Sequence, residues 1–166
     1  RSMSQSELAY DYDSETAKLQ GASEQNVGFT PLEVNWAVGV PGVATAGVGG
    51  IFGHVFQGTV TETVDAFGNR TQSLVANAYQ VLGRPDGSST GQLRVTQAAS
   101  HSYVKNIDTS FSTSRGVIEN LYDPLTTLLI GARDLEVEYR DLIDGTLKQV
   151  AGIVTETTDP SGNRSL

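Results

Sequence analysis

The chain has 166 residues, with 19 acidic and 11 basic side chains, 18 glycines and no cysteine. Its length suits one compact domain with its own core, or two small domains. The net charge of −8 argues against a nucleic-acid-binding surface, and the lack of cysteine excludes disulfides, thiolate metal sites and cysteine nucleophiles.

The N-terminal segment is acidic and contains no apolar stretch of the kind found in signal peptides. We therefore expect either a cytoplasmic chain or the mature fragment of a larger one. Asp11, Asp13 and Glu15 have the opening spacing of a calcium loop. However, Thr16 and Ala22 stand where an EF-hand needs glycine and glutamate. We interpret the segment as a flexible acidic terminus, with the three carboxylates as weak calcium candidates.

Residues 34–61 contain no charged side chain and are rich in glycine. This composition predicts buried strands joined by glycine turns rather than a membrane-spanning helix. A surface that inserts into membranes or self-associates is one alternative. Another is a small-ligand-binding β-barrel with an apolar cavity, for which the candidate lining residues are Trp36, Phe52, Phe56 and Phe67.

Strand and turn signals dominate the rest of the chain. Alternation of apolar or β-branched residues with polar ones predicts strands over residues 59–64, 135–140 and 147–157. Asp65 and Asp159 each open a turn that contains a Gly-Asn pair, because an aspartate side chain can bond to its own turn. Both carboxylates are further weak calcium candidates.

Helix signals are few and short. A capping-box layout with proline predicts a helix at residues 30–33, and a cap followed by proline predicts another at residues 123–125. Residues 14–25 could form a third. We therefore predict a mainly β fold, a β-sandwich or barrel-like antiparallel sheets with a few short helices.

An internal match points to a duplication. Residues 58–71 and 152–165 are identical at nine of 14 positions, with an offset of 94. Residues 25–32 align more weakly with residues 119–125. These anchors predict a unit of roughly 94 residues, with a first copy at 1–93 and a second, incomplete copy at 94–166. The second hairpin has no return strand of its own, so residues 152–166 should have an open edge.

No pattern recommends a catalytic residue. His54 and His101 lack the spacing of metal ligands, and no cysteine is present to complete a zinc site. Residues 87–91 have the letters G-x-S-x-G, but no acid lies between Ser89 and His101, as a hydrolase triad in that order would need. A glycine- and serine-rich loop explains these letters.

The repeat, the polar composition and the acidic charge favour a non-catalytic structural or adhesive β protein. We expect an extracellular or cell-surface filament subunit, or a repeat fragment of a larger adhesin, with calcium as a possible ligand and no other cofactor. Its partner would bind the open edge near residues 152–166, unless residues 7–12 close that edge from within. A ligand-binding barrel is the main alternative, followed by an enzyme whose site is not visible in the sequence.

Overall fold

The computed structural model describes residues 2–29, 46–47 and 54–166, and in these ranges the chain forms strands and turns without any helix. Every strand pairing in these ranges is antiparallel, which confirms the prediction of a mainly β chain with antiparallel sheets. In chain order the strands are β1 (Ser2–Gln5), β2 (Leu8–Tyr12), β3 (Leu19–Glu24), β4 (Asn26–Phe29), β5 (Ala46–Gly47), β6 (His54–Gln57), β7 (Thr59–Val64), β8 (Arg70–Gly83), β9 (Ser89–Lys105), β10 (Phe111–Tyr122), β11 (Leu129–Asp134), β12 (Glu136–Arg140), β13 (Leu147–Ala151), β14 (Ile153–Thr158) and β15 (Arg164–Ser165).

Eight strands form one main sheet. Its neighbours follow the order β1-β7-β8-β9-β10-β14-β15, and β11 also pairs with β10. The path runs from β1 to β15 without returning, so the described sheet is open. Three smaller sheets accompany it, formed by β2 with β3, by β12 with β13, and by β4, β6 and β5.

The two longest strands, β8 and β9, form the central hairpin of the main sheet. In β8, Gln72, Leu74 and Ala76 are buried and alternate with more exposed residues. The residues opposite them on β9 are also buried, namely Tyr103, His101 and Ala99. Because successive side chains of a strand point to opposite faces, this pattern gives the central hairpin one buried face.

The hairpin of β12 and β13 covers part of this face. Val137 from β12 packs in a buried cluster with Val117 of β10 and Val154 of β14, and with Ala76 and Ala99 of the central hairpin. Full burial of a valine contributes about 1.5–3 kcal/mol, so the burial of Val137 favours packing of the small hairpin on the main sheet.

Four connections are five-residue turns with the same backbone hydrogen bonds, at residues 65–69, 84–88, 106–110 and 159–163. In the first, the amide of Gly68 donates to the carbonyl oxygen of Asp65, at 3.2 Å. The fourth residue of each turn has a positive φ, and it is glycine in three of the four turns. Glycine adopts this conformation without a Cβ penalty. The turns predicted at Asp65 and Asp159 are thus confirmed.

Three other connections are six-residue turns that begin at an aspartate, at residues 13–18, 123–128 and 141–146. The carbonyl oxygen of each aspartate accepts the amide of the residue four positions later, which has a positive φ and is Ala17, Thr127 or Gly145. The helices predicted at residues 14–25 and 123–125 are therefore wrong, because the left-handed residue ends the first turn and the chain enters a strand. The helix predicted at residues 30–33 lies outside the described residues.

The predicted 94-residue duplication is not supported. Its weaker anchor fails, because residues 26–29 form a strand paired with β6, whereas residues 119–125 run from the end of β10 into a turn. The predicted boundary between residues 93 and 94 falls inside β9.

A different correspondence relates the two ends of the chain. Ser2 lies opposite Thr63 where β1 pairs with β7. Where β10 pairs with β14, Ser112 lies opposite Thr157. Ser112 is 110 residues after Ser2, and Thr157 is 94 residues after Thr63. The same numerical shifts relate the β4–β6 pair to the β12–β13 pair. A shift of 110 on both strands relates β2–β3 to β10–β11.

We call β1–β4, β6 and β7 the N-terminal strand set, and β10–β14 the C-terminal strand set. In this correspondence β10 matches β1 and β2 together. The shift changes from 110 to 94 between β4 and β6, because paired positions on these strands are 16 residues further apart in the chain than the matching positions on β12 and β13. The two sets therefore have the same pairing registers, and the central hairpin lies between them.

Candidate interaction surface

Strand β14 lies within residues 152–166, where the sequence predicts an open edge. On one side all of its residues, Ile153–Thr158, pair with β10. On the other side only Thr157 and Thr158 have a strand partner among the described residues, the short strand β15. Arg164 of β15 forms a partly exposed ion pair with Glu156 of β14. Strand β2, which the sequence offered as a closing strand, pairs with β3 instead.

The matching strand of the N-terminal set, β7, has neighbours on both sides. Strand β1 pairs with residues 60–63, and β8 pairs with all of Thr59–Val64. The difference between β7 and β14 is therefore the central hairpin, which lies against the first and has no counterpart against the second in the described part of the chain.

The central hairpin also covers β3, whereas β11 has no such cover in the described ranges. On β3, Leu19 and Ala22 are half-buried and Glu24 is only 9% exposed. The matching residues of β11, 110 positions later, are all exposed, and they are Leu129, Ala132 and Asp134.

Apolar side chains are exposed around this end of the sheet. Strands β14 and β11 follow one another along the same edge of β10, opposite the edge that pairs with β9. Large aliphatic residues on and around them are each more than half exposed, namely Leu125, Leu128, Leu129, Ile130, Leu147 and Ile153. A concentration of exposed aliphatic groups beside an open strand edge is typical of an interaction surface.

The most specific contact between the N-terminal set and the central hairpin is made by Glu24. Its carboxylate accepts hydrogen bonds from the backbone amide and the side-chain amide of Asn77, both at 2.8 Å. Burial, aided by the negative charge of Glu24, raises the pKa of the neighbouring Tyr79 hydroxyl. These groups border a cleft of about 370 Å³ between β3 and the main sheet.

The five weak calcium candidates do not form a cluster. Asp13, Asp65 and Asp159 each lie in a different turn and accept hydrogen bonds from the amides of that turn. Asp11 and Glu15 have exposed side chains. Within the described ranges, no group of three histidine, aspartate or glutamate side chains is arranged to hold a metal ion.

Hydrogen bonds within the turns also lower the pKa of three of these carboxyl groups. The side-chain amide of Asn69 lowers the pKa of Asp65, and that of Asn163 lowers the pKa of Asp159. A threonine hydroxyl three residues on lowers the pKa of Asp13. The charged form of each aspartate is therefore stabilised by its own turn, which gives these residues a structural role.

Of the four apolar-cavity candidates, only Phe67 has its side chain in the described part of the chain. Trp36 and Phe52 lie outside the described residues. Phe56 belongs to β6, opposite Val27 of β4, and its side chain is outside the described part. Phe67 lies in the turn between β7 and β8 with 78% of its surface exposed, so it lines no cavity.

Sequence reasoning missed the correspondence that matters most for the edges of the sheet. Its signal is the pattern Tyr-Asp-x-x-Thr-x-x-Leu-x-Gly-Ala, which occurs at residues 12–22 and again at residues 122–132. The pattern covers the six-residue turn and the start of the strand that follows it. It could have shown that β2–β3 matches β10–β11.

No protein-family model, curated protein or solved structure matches this chain. The described residues also include no helix long and apolar enough to cross a membrane. Internal comparison of the two strand sets is therefore the best guide to function.

Proposed function

We propose that the chain is a non-catalytic structural or adhesive module of an extracellular or cell-surface β protein, either a filament subunit or a repeat within a larger adhesin. In this proposal the N-terminal strand set and the central hairpin form one unit, and the C-terminal set begins a second. The observation that carries the proposal is the shared register of the two sets, because structural repeats within a chain commonly stack against their neighbours.

The open edge supports a function through interaction. A strand edge offers backbone donors and acceptors to any extended segment that can pair with it. Natural proteins commonly protect such edges with charged side chains, whereas β14 begins with Ile153, which is 69% exposed. The aspartates of the turns are engaged in local hydrogen bonds, which supports a structural use of the acidic residues rather than a catalytic one.

Sedimentation velocity over a wide range of concentrations tests the filament-subunit form. We expect association that increases with concentration and weakens in Ile153→Lys, because a lysine at the start of β14 disfavours strand addition. Gln80→Lys is the matched control, since Gln80 is exposed on the central hairpin, away from the open edge. A single species of 17.6 kDa at every concentration would contradict self-association through this edge.

A further inference from the structure

We propose that the open edge of β14 and the exposed side of β11 bind a β-hairpin built like the central hairpin and supplied by a further copy of the unit. This inference rests on the proposed function and names the partner of the same surface. Four observations at matching positions of the two strand sets support it.

The first observation concerns register. Thr157 lies opposite Ser165 where β14 pairs with β15. In the N-terminal set, Thr63 lies opposite Thr71 where β7 pairs with β8. Both partners are shifted by 94 residues, so β15 occupies the first positions of a β8-like strand. A longer strand in this register would continue along the rest of β14.

The second observation concerns space at a pair of matching glycines. Gly58 has a φ of +133°, and a Cβ atom built on it would lie 2.5 Å from the carbonyl oxygen of Val75 on β8. Gly152 has a φ of +121°, and a Cβ atom built there meets no atom of the described residues within 4 Å. The C-terminal set therefore keeps the glycine conformation, although no described residue fills the space that β8 fills beside Gly58.

The third observation concerns polar matching. Glu24 is buried against Asn77 of the central hairpin, whereas the matching Asp134 is exposed. A carboxylate at this position suits a partner strand that carries an amide where β8 carries Asn77. The proposed hairpin therefore carries an amide side chain at the position that matches Asn77.

The fourth observation comes from the other end of the chain. The hydroxyl of Tyr122 and the side-chain amide of Asn120 both donate to the carbonyl oxygen of Val95 on β9, at 2.9 Å. The residue matching Tyr122 is Tyr12, which is 57% exposed. The N-terminal edge thus resembles a surface for a β9-like strand. The edge of β14 therefore fits a β8-like strand, and the N-terminal edge fits a β9-like strand. These are the two strands of a hairpin that would lie between neighbouring units.

The test replaces Leu166 with a copy of residues 72–111, which continues the match between Ser165 and Thr71. We expect hydrogen exchange to slow by at least about tenfold for those amides at residues 153–156 that point away from β10, because they gain strand partners. The control is the same extension with its first residue deleted. This shifts the strand by one position and turns its apolar residues to the wrong face.

A second readout uses Gly152→Ala. We expect this substitution to lower the melting temperature of the extended chain by clearly more than that of the 166-residue chain, because the added strand should bring a carbonyl oxygen near residue 152. Equal shifts in both chains, or unchanged exchange at residues 153–156, would overturn the inference.

Two further outcomes separate this inference from the proposed function. Equal protection from the shifted control would overturn the inference, because it would show that any added strand suffices. Protection could instead rise with the concentration of the unextended chain and not with the extension. It would then show that the open edge of β14 pairs with the open edge of a second copy of the chain. That result would overturn the inference and leave the proposed self-association standing.

Discussion

The matching glycines allow a sharp prediction of stability in the 166-residue chain. Gly58→Ala and Gly152→Ala place the same methyl group at the same position of the two strand sets. Both residues have φ values that alanine rarely adopts, and such strain costs on the order of 1–3 kcal/mol. Strain alone therefore predicts similar losses of stability for the two variants.

Packing makes the two losses different. At residue 58 the new Cβ atom would lie 2.5 Å from the carbonyl oxygen of Val75 and 3.1 Å from a methyl carbon of Leu74. The backbone oxygen cannot move away without disturbing the β7–β8 pairing, so overpacking adds about 1–3 kcal/mol. We expect Gly58→Ala to lower the free energy of unfolding by about 2–6 kcal/mol, and Gly152→Ala by about 1–3 kcal/mol.

Urea unfolding followed by circular dichroism measures both variants against the native chain. The slope of the free energy with urea concentration should stay constant, so that a change of midpoint reports a change of stability. Losses that agree within about 0.5 kcal/mol would refute the reasoning, because they would mean that the contact with β8 is not what distinguishes the two glycines.

Three further predictions concern single sites. Glu24→Gln should destabilise the chain by about 1–3 kcal/mol, since it places an amide against the donors of Asn77. Asp134→Asn, at the exposed matching position, should change stability by less than about 0.5 kcal/mol. The urea midpoints of the two variants measure this difference. Ala17→Gly should stabilise the chain by about 0.5–1 kcal/mol, because Ala17 has a φ of 53°, and a lower melting temperature would contradict this. The folded-state pKa of Asp65 lies below its ordinary value of 3.8, so its stabilisation is present above that pH and is lost as the pH falls through the folded-state pKa. The urea midpoint of Asp65→Asn should therefore depend less on pH between about pH 5 and 2 than that of the native chain.

The turns were predictable because their chemistry is local. The side chains of Asp65 and Asp159 bond to amides two and four residues away, and glycine supplies the positive φ. Asp13 and Asp123 show where the same signal misleads. An aspartate followed three residues later by threonine can cap a helix or a short turn, and the pairing of the flanking strands, which is not local, decides between them.

The relation between the two strand sets was only partly visible in the sequence. Residues 58–71 and 152–165 share the aspartate and the Gly-Asn pair that their turn requires. Their match is therefore visible in the sequence at a single offset. Residues 8–29 and 118–139 share only seven of 22 positions. Their offset is different, because paired positions on β4 and β6 are 16 residues further apart in the chain than those on β12 and β13. Contacts such as Glu24 with Asn77, 53 residues apart, depend on packing that no local pattern encodes.

The strand order of the main sheet sets the dimensions of any assembly built from it. Each unit would contribute four successive strands, in the order β1, β7, β8 and β9. Strands lie about 4.8 Å apart, so an array would advance by about 19 Å per unit, at right angles to the strands. Neighbouring strands also rotate by about 20–25°, so each unit would turn by about 80–100° relative to the one before. Four units would complete about one revolution of a twisted ribbon, and surfaces repeated on successive units would face in different directions around it.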